Sequence, residues 1–244
     1  SMDLICISDN IGAAFMGFQV LEREKRAFEK SGDAKAQPKL DEYRNLVGAY
    51  LKPQINAQTV KQLEDAEIMP SYGSFGNGSA MRVSAAGFMA KDENECIELA
   101  TKTALPTHDH PEGIKGAVST ALAIYHGMHG QSKDFIRKNI LDKYYPDWNG
   151  KTYAEIKPGY YFDETCQKTV PAALICFLES TDYTDCIKLA ISLGGDADTL
   201  AAIAGPIAYA YYKEIPQTLV NQAKAKLPAW MLDINDECDS FCKN

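Results

Sequence analysis

No run of apolar residues in this 244-residue chain approaches the ~18 needed for a bilayer-crossing helix, so no membrane span is expected. No basic run that could track phosphates is present either. Lys and Arg total 25 against 33 Asp and Glu, a net charge of −8, which argues against a nucleic-acid-binding surface. The N-terminus lacks the charged and small-residue pattern of a secretory leader, and Met2 is expected as the start, with Ser1 a remnant ahead of it. The seven cysteines form no disulfide framework, being odd in number and irregular in spacing. Reduced thiols in a cytoplasmic protein are expected. Cys238 and Cys242 fall on one helical face, but no second ligand pair accompanies them, so they read as plain thiols rather than a zinc site. Neither an internal repeat nor a low-complexity tract occurs, and no convincing set of period-two strands is visible.

What is present is helical. The apolar fraction is 45%, enough for a sizeable core. Ile11 to Leu21, Leu40 to Leu51 and Gln54 to Leu63 carry apolar residues at helical spacing, the last two separated by Pro53. Asp92 to Thr103 predicts an amphipathic helix with Cys96, Leu99, Ala100 and Thr103 on one face. A helix is expected from Pro111, a residue favoured at the first helical position, to about His126. Ser132 should cap another. Pro146 to Gly159 reads as a loop, followed by helices over Glu164 to Leu178, from Thr181 to Leu193, after Asp198, and from Gln217 to Lys226. Pro206 is expected to kink the helix that contains it. An all-α single domain over residues 1–244 is the expectation.

The stretch that organises the chain is Gly194-Gly195-Asp196-Ala197-Asp198-Thr199, leading into Leu200-Ala201-Ala202-Ile203-Ala204-Gly205. Two carboxylates and a hydroxyl stand between a tight turn and a helix start. Asp198 is expected to cap that helix, whose N-terminus favours negative charge. Such hard oxygen ligands suit Mg²⁺, Mn²⁺ or Ca²⁺ rather than zinc; a helix cap alone is the plainer alternative. Ser8-Asp9-Asn10 places a second hydroxyl and carboxylate at the mouth of an earlier helix.

A glycine-rich stretch, Gly73 to Ser79, argues against a regular element there. Its Gly76-Asn77-Gly78-Ser79 could point successive N–H groups into a concavity that binds phosphate oxygens, or could be a plain turn. Thr107-His108-Asp109-His110-Pro111 holds half of the four histidines. They read as hydrogen-bonding to a ligand or a backbone carbonyl, or as satisfied residues of a loop leading into a helix, rather than as zinc ligands.

Ser74-Phe75-Gly76-Asn77-Gly78-Ser79-Ala80-Met81-Arg82 resembles the Gly-Asn-Gly-x-Ala-Met-Arg loop of the ADP-ribosylglycohydrolases. Gly194 to Thr199 with Ala201 to Gly205 resembles that family's C-terminal metal motif, and Thr107-His108-Asp109-His110-Pro111 its Thr-His-x-His-Pro segment. The resemblance runs from about residue 8 to 212. It implies a compact multi-helix fold, a pair of Mg²⁺ or Mn²⁺ ions, and cleavage of the bond from ADP-ribose to a protein side chain or small molecule. By this resemblance Ser8, Asp9, Asp196, Asp198 and Thr199 are metal ligands, and Asp9, Asp196 and Asp198 are the catalytic carboxylates. Gly76, Asn77, Gly78 and Ser79 would contact the diphosphate and ribose, and His108 the ribose–phosphate part.

The departures from the family are specific. Its N-terminal motif reads Thr-Asp-Asp-Thr, where this chain has Ser8-Asp9-Asn10-Ile11. A charge and a hydroxyl are lost, which weakens hard-cation binding. The family segment that precedes this motif, with a glutamate that closes over the site, has no counterpart in the first seven residues. Two readings follow: a metal-dependent ADP-ribosyl hydrolase, or a catalytically impaired member that binds ADP-ribose or a protein partner. A phosphatase reading of Asp196-Ala197-Asp198 requires a buried strand before it, and Asp185 to Leu193 has helical spacing instead.

Overall fold

The computed structural model describes residues 73–227 together with 229 and 232. The sequence readings for Ser8, Asp9, Asn10 and Ile11, for the helices expected before residue 73, and for Cys238 and Cys242 lie outside these residues.

The described chain is helical. Its one β feature is an isolated antiparallel bridge between Gly76 and Thr165. Two short helices, α1 (Gly78–Met81) and α2 (Ser84–Met89), precede α3 (Glu93–Ala104) and the long α4 (Pro111–Met128). Next, α5 (Lys133–Ile136) runs through a π-helical stretch (Arg137–Leu141) into α6 (Asp142–Tyr144). A 3₁₀ turn (Pro146–Trp148), α7 (Tyr153–Ile156) and a second 3₁₀ turn (Lys157–Gly159) cross to α8 (Cys166–Glu179). Finally come α9 (Tyr183–Leu193), α10 (Ala197–Tyr212) and α11 (Gln217–Lys224).

The helix starts follow local chemistry. Asp92 and Asp182 accept from the backbone N–H three residues on, at the starts of α3 and α9. Ser132 caps α5 in the same way, as its sequence suggested. Each such cap contributes about 1 kcal/mol. Pro111 takes the first position of α4. The stretch from Pro146 to Gly159, expected as a loop, instead holds turns of three and four residues, among them a Thr152–Glu155 capping box. Elements so short leave no periodicity to read.

Helices α4 and α10 form the centre. Both pack on each other, with α3 and α2 against α4 and with α8 and α9 against α10. Leu122, Ile124, Leu174, Ile175, Phe177, Leu200, Ile203 and Ile207 are fully buried there. Pro206 sits inside α10, which runs on through it to Tyr212. Its ring removes one backbone donor, and the apolar packing around α10 carries the helix past it.

Small residues set the approach distances. A Cβ added at Gly116 of α4 would fall 2.3 Å from Cys166 Sγ and 2.8 Å from its Cβ, so only glycine lets α8 begin against α4. Cys96, Cys166, Cys176 and Cys186 are free and buried. Burial pushes the Cys96 and Cys186 thiols up to about 12 and Cys166 to about 11. These groups behave as small apolar fillers. Among the described residues no helix is long and apolar enough to cross a membrane.

Gly116→Ala should destabilise the domain by about 1–3 kcal/mol in urea unfolding, the usual cost of overpacking a tight core. Adding Cys166→Ala should recover part of the loss. Unchanged stability of Gly116→Ala would show that α4 and α8 are not in this close contact.

Candidate ligand-binding site

Three separate stretches meet at one place. Asn77 at the mouth of α1 is buried, and each of its side-chain hydrogens has a partner. Its Nδ2 donates to Asp196 Oδ2 at 2.6 Å and to Thr169 Oγ1 at 3.0 Å. Asp196 is an ionisable acceptor and Thr169 can accept, so the orientation of the amide is fixed by its neighbours. The Thr169 hydroxyl in turn donates to the Asp163 carbonyl at 3.1 Å. The Asn77 backbone N–H donates to Glu164 O at 2.7 Å, and Cys166 N–H donates to Phe75 O at 3.0 Å. The loop at 74–77 is thereby stitched to the segment at 163–166 and tied to the turn at 194–199.

The turn itself departs from expectation in one respect. Asp196, not Asp198, occupies the N-cap position of α10, and its side chain makes no capping bond. Asp198 lies in the first helical turn, where Thr199 N–H donates to its Oδ1 at 3.0 Å. The reason is tertiary. Gly194 and Gly195 have φ of 84° and 65°, and a Cβ at Gly195 would come within 2.9 Å of Tyr161 O. The backbone therefore turns before Asp196, whose carboxylate is drawn to Asn77. Asp198 is left exposed and Asp196 half-buried. Thr199 is buried, with its Oγ1 4.0 Å from Met81 Sδ at the end of α1.

The loop at 105–110 supplies the third side. His108 is buried against the glycines: a Cβ at Gly78 would lie 3.2 Å from its Nε2, and one at Gly76 3.5 Å. Its Nδ1 is 2.6 Å from Thr107 Oγ1. Arg82 Nη2 donates to the same Thr107 oxygen at 2.8 Å and to Thr103 O at 3.1 Å, while Nη1 donates to Gly78 O at 3.1 Å. The guanidinium can only donate. Arg82 and His108 thus meet at the Thr107 hydroxyl, and the other ring nitrogen of His108, Nε2, lies against the glycine loop. Burial first, and the Arg82 charge second, pull this imidazole down to about 4. His108 is thus neutral at ordinary pH.

The other residues singled out in the sequence divide by role. His110 caps α4, its Nδ1 accepting from Glu112 N–H at 3.1 Å, and its ring meets Phe75 edge-on at 5.3 Å between centroids. Ser79 is fully buried, and its hydroxyl donates to Gly113 O at 2.7 Å, anchoring the loop to α4. Gly78–Met81 form a short helix where the glycines suggested irregular backbone. Sequence reasoning missed Arg82 and Thr107 as a positioning pair, and Thr169 and the 160–165 segment as the wall behind Asn77. Thr169 gave one signal, a hydroxyl inside the otherwise apolar stripe of α8.

The donor set at the turn is hard oxygen. Two carboxylates and a hydroxyl within four residues match the chemistry of Mg²⁺ or Mn²⁺. Among the described residues, no group of three or more His, Cys, Asp or Glu is gathered as a metal site. The turn by itself therefore offers part of a coordination sphere.

An all-helical domain that joins a Gly-Asn-Gly loop to an Asp-x-Asp turn has relatives in known structures. A chain of an ADP-ribosylglycohydrolase-related protein complex superposes with a TM-score of 0.52 at 21% identity, covering 89% of this chain and 79% of that one. The sequence carries the assignment further. The family model for ADP-ribosylglycohydrolase matches residues 19–242, and the chain belongs to that family. Human ADP-ribosylhydrolase ARH3 is 28% identical over 192 aligned residues, which cover 60% of this chain and 53% of the human one. The ADP-ribosyl-(dinitrogen reductase) glycohydrolase of Rhodospirillum rubrum is 26% identical over 162, covering 64% and 53%. The chain spans about half the length of the curated relatives it matches.

The depressed imidazole has a consequence for acid stability. An unfolded histidine binds its proton near pH 6.5, whereas folded His108 binds one at about 4. Between these values the unfolded chain holds more protons, so stability falls as pH is lowered from about 6.5 towards 4. His108→Gln should reduce the slope of unfolding free energy against pH in that window. An identical slope in both proteins would show that His108 is not held neutral.

Proposed function

We propose that this chain binds ADP-ribose between the Gly76–Gly78 loop, His108 and the Asp196–Thr199 turn, and hydrolyses the bond from ADP-ribose to an acceptor, a protein side chain or a small molecule. The observation that carries this reading is the 2.6 Å bond between Asn77 and Asp196, which joins two of the motifs shared with the family across 119 residues of chain.

In this reading Asp196, Asp198 and Thr199 hold Mg²⁺ or Mn²⁺ together with Ser8 and Asp9. A bound divalent ion supplies positive charge to ribose oxygens and acidifies a bound water. The chain's own groups do the rest. Asn77 fixes the Asp196 carboxylate and leaves its second oxygen to face a ligand. His108 hydrogen-bonds a phosphate or ribose oxygen without carrying a charge that would vary with pH. The absence of side chains at Gly76 and Gly78 leaves room for the His108 ring against the loop. Asp198, exposed beside the turn, orients the water against the anomeric carbon. The bond from that carbon to the acceptor breaks, a bond to the water oxygen forms, and the water's proton passes to the leaving group. Such a centre develops oxocarbenium character, which a nearby carboxylate stabilises. A cytoplasmic site of action fits the free, buried thiols.

A second reading is favoured by Asn10 and Ile11, if by resemblance they correspond to an Asp and a Thr of the family motif. With a ligand charge and a hydroxyl removed, the protein would bind ADP-ribose without cleaving it.

Calorimetry with ADP-ribose, in Mg²⁺ and again in EDTA, tests both readings. Mg²⁺-dependent binding followed by release of ADP-ribose from an ADP-ribosylated substrate is expected for the hydrolase. Equal binding in EDTA with no turnover supports the binder. Asn77→Ala should weaken ADP-ribose binding roughly tenfold or more, the range for losing a hydrogen bond to a charged group. Asp198→Asn should remove the Mg²⁺ dependence. Lack of ADP-ribose binding by the parent chain would sink both readings.

A further inference from the structure

Thr169 is fully buried in the apolar helix α8, and its hydroxyl is used in an unusual way. A hydroxyl inside a helix commonly donates to a carbonyl three or four residues back in the same helix. Thr101 and Thr103 of α3 do so, donating to Ile97 O at 2.7 Å and to Ala100 O at 2.8 Å. Ser119 of α4 does the same, to Gly116 O at 3.2 Å. Thr169 instead donates to Asp163 O, six residues back and ahead of its own helix.

That carbonyl is itself held in place. Asp163 Oδ1 accepts from the Thr165 N–H at 2.8 Å and from its hydroxyl at 2.5 Å, closing a turn just before α8. With its one proton given to Asp163 O, Thr169 Oγ1 can meet Asn77 only as an acceptor, and Asn77 Nδ2 donates to it at 3.0 Å. Turned over, the amide would set its oxygen against Asp196 Oδ2 and against the Thr169 lone pairs together. The bond to Asp196 alone would leave the amide free to swing with a half-buried carboxylate. The same segment also grips the Asn77 backbone, whose N–H donates to Glu164 O at 2.7 Å. Both the position of Asn77 and the direction of its amide are therefore taken from residues 163–169.

We infer that Thr169 is a positioning residue, which through Asn77 fixes where the Asp196 carboxylate stands. It acts from outside the three motifs, by the order Asp163 carbonyl, Thr169 hydroxyl, Asn77 amide, Asp196 carboxylate. Its effect on ADP-ribose rests on the proposed function; its hold on Asn77 does not.

The test reads the Asn77 side-chain amide by NMR in the nitrogen-labelled full chain, with Asn77→Ala identifying its pair of signals. In Thr169→Val, which keeps the shape and removes the hydroxyl, the pair should shift and exchange faster with water. In Thr169→Ser it should stay close to the parent. ADP-ribose affinity in Mg²⁺ should fall roughly threefold to tenfold in Thr169→Val, the range for losing one neutral hydrogen bond, and recover in Thr169→Ser. Thr169→Val added to Asn77→Ala should cost nothing more, because a residue that acts through Asn77 then has no route left. Thr169→Ala stands in if the valine variant does not fold. An unchanged Asn77 pair would overturn the inference. So would unchanged ADP-ribose affinity where the parent binds, or a further loss in the double variant. Unfolding of both Thr169→Val and Thr169→Ala would make the hydroxyl a structural requirement and also overturn it. Failure of the parent to bind ADP-ribose would count against the proposed function alone, since the amide signals are read without ligand.

Discussion

One side-chain amide holds the site together. Asn77 has two N–H bonds to give and gives them to Thr169 and Asp196, which lie 92 and 119 residues away in sequence. Each acceptor stands on a different helix, α8 or the mouth of α10, and the donor stands at the mouth of α1. A residue used in this way cannot be replaced by another of similar size. An aspartate would set a second carboxylate against Asp196, and a leucine would leave the Asp196 oxygen and the Thr169 hydroxyl without their donor. Thr169 would keep its bond to the Asp163 carbonyl, while half-buried Asp196 would lose the donor that fixes its carboxylate, a hydrogen bond to a charged group of about 1.5–3 kcal/mol.

Around that junction the support is layered. Thr169 is held by the Asp163 carbonyl, and the Phe75 and Glu164 carbonyls lock the two strands of backbone that cross at Gly76 and Thr165. On the opposite side the Arg82 fork grips Gly78 O, Thr103 O and Thr107 at once. Rigid placement of polar groups before a ligand arrives lowers the ordering cost of binding. The candidate site therefore rests on the ends of helices that are themselves packed around α4 and α10.

Much of the fold was legible because helices announce themselves in one dimension. The spacing of Cys96, Leu99 and Ala100, the proline at position 111 and the cap at Ser132 placed elements to within a residue or two. The Asp196-Ala197-Asp198 stretch was legible as a site but not in detail. Both aspartates suit a helix cap, and the choice between them was made by Asn77 and by the close approach of Tyr161 to Gly195, which no local rule contains. His108 and His110 look alike in sequence, yet one is buried and neutral and the other caps a helix. Arg82 and Thr107 lie in two separate motifs, and nothing in their local sequence signals that they touch. Contacts over such separations are set by packing, and a single sequence holds no record of them.

The four buried thiols give the core a set of internal clocks. Each thiol is enclosed and held as the un-ionised form, and only a thiolate reacts readily. An alkylating reagent therefore waits for the helix around that cysteine to open, and the rate of labelling reads how often it does. Cys96 sits on α3, Cys166 and Cys176 on α8, and Cys186 on α9. The molecule thus reports, helix by helix and without added probes, which part of its interior breathes first.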